Sequence, residues 1–196
     1  MQRLNVSRAS SAFELAARAH ATQCRKGTNI PYISHPMAVA SRVLVWGGDE
    51  DQFVAALLHD VIEDARAEFA AEIESTFGSD VLRIVRELSD VEPAKGERKA
   101  PWIERKRAYI EHLATCGEKT LLVSAADKWH NLASVLEDVR KEGDAVYARF
   151  VGEEPELAKK KALTLENYEC LIEVYERRGL SCACELRALL EVLKHA

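Results

Sequence analysis

Apolar residues recur three and four positions apart along most of this chain, the spacing that gathers side chains on one face of an α-helix. No stretch alternates apolar and polar residues between hairpin turns, so strands are not expected. Five prolines and nine glycines punctuate the sequence, and helix formers dominate between them. The pattern predicts an all-α fold, a bundle of about ten helices.

The first helix is expected from about Ser10 to Cys24, with Phe13, Ala16, Ala17 and His20 on its inner face and Ser10 or Ser11 as N-cap. Arg25 to Ser34 reads as a loop, broken by Gly27, Asn29 and Pro31. His35 opens a second helix with Pro36 in its first turn, where a missing N–H costs nothing, and Gly47-Gly48 end it. Asp49 is placed to cap a third helix, Glu50 to about Ile62. Its segment Phe53 to Leu58 is apolar nearly all round and belongs at the centre of a core. Helices over Ala67–Phe77 and Asp80–Leu88 follow, split at Gly78. Ser89 to Pro101 is polar, carries Lys95, Arg98 and Lys99, and reads as a loop. Then come Trp102–Thr115, a long helix Lys119–Arg140, a short one Gly143–Phe150, and two over Pro155–His195 parted at Gly179-Leu180-Ser181. Lys159-Lys160-Lys161 reads as a solvated face.

The chain has 196 residues, a length that one domain accommodates with a full core. Nothing suggests a linker or a fixed repeat, so residues 1–196 are expected to form a single domain. Lys and Arg number 27 against 32 Asp and Glu, a net charge of −5. No basic excess is available to neutralise a long phosphate backbone, so duplex nucleic acid is not an expected partner. The five cysteines form no C-x-x-C pair, and Cys182 and Cys184 are two apart, a spacing at which helical side chains do not face each other. A reducing cytoplasmic setting is expected. Met1 to Ser10 lacks the apolar run of a signal peptide, and no apolar run approaches the length of a membrane span.

Candidate chemistry concentrates where the most apolar helix ends, in Leu58-His59-Asp60-Val61-Ile62-Glu63-Asp64. Burying an imidazole and a carboxylate beside that run is costly unless something pairs them, and a divalent metal would do so. On a continuous helix Glu63 stands one turn beyond His59, and Asp64 one turn beyond Asp60. His35, at a loop-to-helix junction, and Asp127, which interrupts the apolar start of the long helix, are candidates to complete the set. Two neutral His and two ionised Asp carry a charge of −2, which balances one divalent cation. Each piece alone has a plainer explanation, such as a hydrogen-bonded His-Asp pair or an Asp paired with Lys128. It is their joint occurrence that points to a metal.

The order H…HD…D, with His35, His59-Asp60 and Asp127, resembles the HD-domain metal phosphohydrolases. The similarity is greatest to the RelA/SpoT-type hydrolases. Arg25-Lys26-Gly27…Pro31-Tyr32-Ile33-Ser34-His35-Pro36 resembles their R-K-x-G-x-P-Y-x-x-H-P segment, and His59 to Asp64 matches H-D-x-x-E-D. Leu88-Ser89-Asp90, Glu104-Arg105-Lys106-Arg107 and Ala126-Asp127-Lys128-Trp129-His130-Asn131-Leu132 resemble three further segments. The resemblance covers Phe13 to Glu137, and the stretch from Gly143 to the end is additional helix. The chain has no room for a synthetase domain, so it is similar to the small stand-alone alarmone hydrolases, which include the metazoan SpoT homologues.

That resemblance implies hydrolysis of the 3′-pyrophosphate of ppGpp to GDP and pyrophosphate by a metal-activated water, with one divalent ion, usually Mn2+. It implies His35, His59, Asp60 and Asp127 as metal ligands. It implies Glu63 and Asp64 as the residues that orient or deprotonate the water, and Arg25, Lys26 and Asn131 as contacts to the nucleotide. Trp129 and Ala133 depart from the family pattern, which usually has Leu or Tyr and often Arg there. Other substrates fit the same motifs, including the 2′-phosphate of NADPH and pppApp. A non-catalytic nucleotide sensor and a purely structural bundle are the competing classes. The apolar C-terminal helices offer a face for a homodimer.

Overall fold

The computed structural model describes residues 4–65, 69–89 and 100–196, without the side chains of residues 64 and 65. Among these residues there are nine α-helices, one π-helical turn and one 3-10 segment, and no strand, which is the all-α architecture expected. The helices are α1 (Val6–Ala19), α2 (Ser34–Val45), α3 (Glu50–Leu58), α4 (Phe69–Phe77), α5 (Ser79–Leu88), α6 (Trp102–Leu113), α7 (Glu118–Glu142), α8 (Leu157–Arg177) and α9 (Ala183–Lys194). The π-helical turn is Val61–Ala65 and the 3-10 segment Gly143–Arg149. Among the described residues no helix is long and apolar enough to cross a membrane.

The chain separates into two compact units. One comprises residues 1–91 and 117–127, the other 92–116 and 128–196. In the first, α3 lies at the centre. Val54, Ala55, Ala56 and Leu58 are fully buried, with Ala12, Ala16, Val39, Val43, Ile84 and Val123 in the same core. The two alanines leave room for neighbouring helices to approach on more than one side, and α2 and α5 both pack on α3. A Leu58→Ala change in such a setting costs about 2–5 kcal/mol, the lost transfer energy plus a cavity. Asp49 caps α3 with a reciprocal pair. Its carboxylate accepts from Gln52 N–H at 2.9 Å, and Gln52 Oε1 accepts from Asp49 N–H at 2.8 Å. Gly48 precedes the cap because a Cβ there would lie 2.4 Å from Val43 Cγ1 and 2.9 Å from its carbonyl oxygen.

Several boundaries differ from expectation, among them the end of α1, which stops at Ala19 and not at Cys24, whose backbone instead bridges to Pro31. Helix α1 begins four residues early, capped by Asn5, whose side chain accepts from Arg8 N–H, and not by Ser10 or Ser11. Its buried face is Ala12, Leu15 and Ala16, whereas Phe13 is exposed. The third helix stops at Leu58. His59 and Asp60 form a turn, and the chain re-enters a wider π-helical turn instead of continuing to Ile62. Ala67, Asp90, Lys95, Arg98 and Lys99 lie outside the described residues.

In the second unit α8 carries a buried stripe, Tyr168, Leu171, Ile172 and Tyr175, and packs on α9, α6 and the 3-10 segment. The expected break after α8 is a Schellman turn. Leu180 N–H donates to Tyr175 O and Gly179 N–H to Glu176 O, both at 3.0 Å, with Gly179 at φ +74°. Arg178 there donates to Ala114 O and Cys116 O at the end of α6, at 2.6 and 2.9 Å. The lysine run is not a uniform solvated face. Lys160 donates to Phe150 O at 3.1 Å and Lys161 pairs with Asp144 at 2.7 Å, so both tie α8 to the 3-10 segment.

Candidate metal centre

The first unit brings His35, His59, Asp60 and Asp127 to one place. His35 comes from the first turn of α2. The loop before it is closed by a β-bridge between Cys24 and Pro31, by Arg25 N–H to Ile30 O at 2.9 Å, and by Gly27 at φ +76°. His59 and Asp60 follow α3, whose apolar sides draw it into the core and carry its end there. Asp127 lies on α7 after the buried run Val123, Ser124, Ala125 and Ala126.

His59 Nδ1 lies 2.8 Å from Ala56 O. A carbonyl can only accept, so Nδ1 carries the hydrogen and Nε2 faces the other residues. His59 Nε2 is 3.2 Å from His35 Nε2 and 3.0 Å from Asp60 Oδ2. His35 Nε2 is 3.0 Å from Asp127 Oδ1 and 3.5 Å from Asp60 Oδ2. His35, His59 and Asp127 offer ligand atoms within 4.8 Å of one another, a group that could hold a metal ion, and all three are buried.

The donor set fits a divalent cation. Two imidazole nitrogens at 3.2 Å, flanked by two carboxylates, need a positive charge among them. A proton can supply it. Burial by itself pulls the His59 pKa down, but Asp60 and Asp127 outweigh burial and hold it well above the ordinary imidazole value. Burial likewise raises the Asp60 pKa, and the two imidazoles outweigh that and hold it well below the carboxylate range. A divalent ion of the first row takes imidazole nitrogen and carboxylate oxygen together, and two neutral His with two Asp⁻ compensate its charge.

Glu63 stands in the π-helical turn directly after Asp60, half-buried. The π geometry replaces the one-turn offset from His59 that a continuous helix would give. Asp64 shares that turn, and its side chain lies outside the described residues. Arg25 is half-buried with its guanidinium 5.7 Å from the Tyr32 ring centroid, and Lys26 is exposed. Asn131 follows Asp127 by one turn of α7 and is half-buried. One residue beside this nest of His35, His59, Asp60 and Asp127 had no assigned role. Tyr32 O–H donates to Asp60 Oδ2 at 2.7 Å. Its place three residues before His35 in the P-Y-x-x-H-P segment was the available signal.

The profile of the HD domain matches residues 12–154. The chain belongs to the HD-domain family. Among relatives of this HD-domain chain, a Xenopus tropicalis guanosine-3′,5′-bis(diphosphate) 3′-pyrophosphohydrolase, MESH1, is 44% identical over 124 residues, covering 62% of this chain and 65% of that protein. The human MESH1 is 39% identical over the same shares. The Escherichia coli K12 bifunctional (p)ppGpp synthase/hydrolase SpoT is 33% identical over 66% of this chain and 18% of its own length. The matched region thus spans slightly less than two thirds of the MESH1 relatives. A solved metazoan ortholog of SpoT, described as hydrolysing ppGpp, superposes with a TM-score of 0.62 at 30% identity, over 91% of this chain and 99% of that one. A Listeria monocytogenes structure superposes with a TM-score of 0.64 at 28% identity, over 82% and 99%.

Proposed function

We propose that this HD-domain protein hydrolyses the 3′-pyrophosphate of guanosine polyphosphates, converting ppGpp to GDP and pyrophosphate. The observation that carries the reading is the convergence of two His and two Asp on one buried point, with Glu63 in the turn that follows. The relatives named for that reaction support the choice of substrate.

In this reading His35, His59, Asp60 and Asp127 hold the ion, Mn2+ by analogy with the family. Bound there, such an ion would supply positive charge to the scissile phosphate and lower the pKa of a water. Glu63, with Asp64 beside it in sequence, orients the attacking water and takes its proton, a contribution of about 10²–10⁴ in rate. Water oxygen adds to the phosphorus next to the 3′ oxygen, the P–O3′ bond breaks, and the 3′ oxygen leaves with a proton as the hydroxyl of GDP. Arg25 and Lys26 neutralise phosphate charge from a loop held by its own backbone bonds, and Asn131 contacts the nucleotide.

We read residues 1–196 as a single HD-type domain. The family match supports this, since residues 12–154 include parts of both compact units. None of the five cysteines is joined in a disulfide, which supports a reducing, cytoplasmic setting. Leu157 and Val192 remain exposed on α8 and α9, the surface we assign to a homodimer.

The test is product identification. Manganese-loaded protein is incubated separately with ppGpp, NADPH and GTP, and the products are separated by anion-exchange chromatography. Pyrophosphate and GDP from ppGpp alone are expected. Phosphate from NADPH, with ppGpp untouched, moves the substrate and leaves the site. Bound metal with no turnover of any of the three indicates a sensor.

A further inference from the structure

Tyr32 stands at a junction that the proposed chemistry does not use. Its hydroxyl donates to Asp60 Oδ2 at 2.7 Å, and that same oxygen lies 3.0 Å from His59 Nε2. Its ring meets His35 edge-on, with centroids 5.8 Å apart. On another side His20 packs against it at 4.8 Å. His20 Nδ1 donates to Gln23 Oε1, and Gln23 O accepts from Tyr32 N–H at 2.9 Å. His20 Nε2 is buried with no hydrogen-bond partner among the described residues, so this imidazole serves the ring by packing. The Arg25 guanidinium lies 5.7 Å from the ring centroid.

We propose that Tyr32 is a positioning residue with two separable parts, a hydroxyl that sets Asp60 for the cation and a ring that sets Arg25 for the anionic substrate. A carboxylate can rotate about its last torsion and present either oxygen. A phenol bonded to one lone pair of Oδ2 fixes that torsion and leaves the remaining lone pairs to the nest. The ring acts differently. A guanidinium held by an aromatic face loses less freedom when it binds phosphate. The ring's part rests on the phosphohydrolase reading, and the hydroxyl's part requires only that the nest binds a cation.

The experiment compares the full-length protein with Tyr32→Phe and Tyr32→Leu. The dissociation constant for Mn2+ is read without substrate, from the loss of the free-ion electron paramagnetic resonance signal. KM and kcat for ppGpp are read at saturating Mn2+. Tyr32→Phe keeps the ring and is expected to weaken Mn2+ binding about 10- to 100-fold with KM unchanged. Tyr32→Leu is expected to weaken Mn2+ equally and, in addition, to raise KM several-fold. A Mn2+ constant in Tyr32→Phe within about twofold of the parent overturns the hydroxyl's role. Equal KM values in the two variants overturn the ring's role. If Mn2+ binding shifts as stated but the parent does not hydrolyse ppGpp, the substrate reading and the ring's part fail while the hydroxyl's part stands.

Discussion

Asp60 keeps 19% of its side-chain surface and Asp127 10%, while His35 and His59 keep 2% and 4%, so the carboxylates are the members of the nest that meet solvent. Substitution separates the roles of neighbouring carboxylates. Asp60→Ala removes a charge that both imidazoles face. It is expected to lose bound metal and turnover together, as metal analysis and a turnover assay would record. Glu63→Gln keeps the nest intact. It is expected to retain metal and lose turnover by about 10²-fold or more. Full kcat in Glu63→Gln with bound metal would remove Glu63 from the mechanism. His59, Asp60 and Asp127 were legible as candidates because polar residues beside an apolar run demand a partner, and His35 because it opens a helix at a loop junction and completes the H…HD…D order. The contact of Tyr32 with Asp60 was not, because a place three residues before His35 does not by itself show that the phenol donates to a carboxylate. Lys160 escaped for a similar reason. Its carbonyl partners, Ala148 and Phe150, are set by tertiary packing.

At the scale of elements, α3 is the part that places the nest, and its cap was readable from Asp49, while the reciprocal bond from Gln52 was not. Burial would raise the Asp49 pKa, but Lys119, at 2.6 Å, and the Gln52 N–H hold it below the carboxylate range. A lowered folded value means that this stabilisation is complete above the ordinary carboxylate pKa. It is lost as pH falls through the folded value. Asp49→Ala is expected to cost about 1 kcal/mol at neutral pH, read as a lower Tm, with the gap to the parent closing in acid. A gap that widened in acid would contradict the assignment. The ends of elements were less legible than their middles. The first turn of α1 carries the exposed Val6 and gives no apolar signal, so the start at Asn5 was hidden. The turn at His59 and Asp60 was hidden because i, i+4 spacing assumes a continuous helix. The nest instead interrupts it with a π-helical turn, a feature frequent at functional sites.

Across the whole molecule, the all-α class follows from periodicity alone, and the second unit shows what periodicity omits. Tyr147 is fully buried in the 3-10 segment, and its hydroxyl has no hydrogen-bond partner among the described residues. Burial, with a smaller contribution from Asp144, pushes its pKa up to about 12. A raised value means stability that is intact below about pH 10 and is lost as pH climbs through 12. The shift corresponds to a loss on the order of 3 kcal/mol. Tyr147→Phe, which deletes only the unpartnered hydroxyl, is expected to fold normally and to outlast the parent in alkaline denaturation. Identical alkaline midpoints would show that the phenol is reached by water.

In the proposed function, four side chains of the first unit hold one divalent ion on which turnover depends. The most direct test measures metal content by mass spectrometry and ppGpp turnover on the same samples: as loaded with Mn2+, after exhaustive chelation, and after reloading. About one ion per chain is expected as loaded, with loss of both ion and turnover on chelation and return of both together on reloading. Turnover that persists after the ion is gone would contradict that dependence.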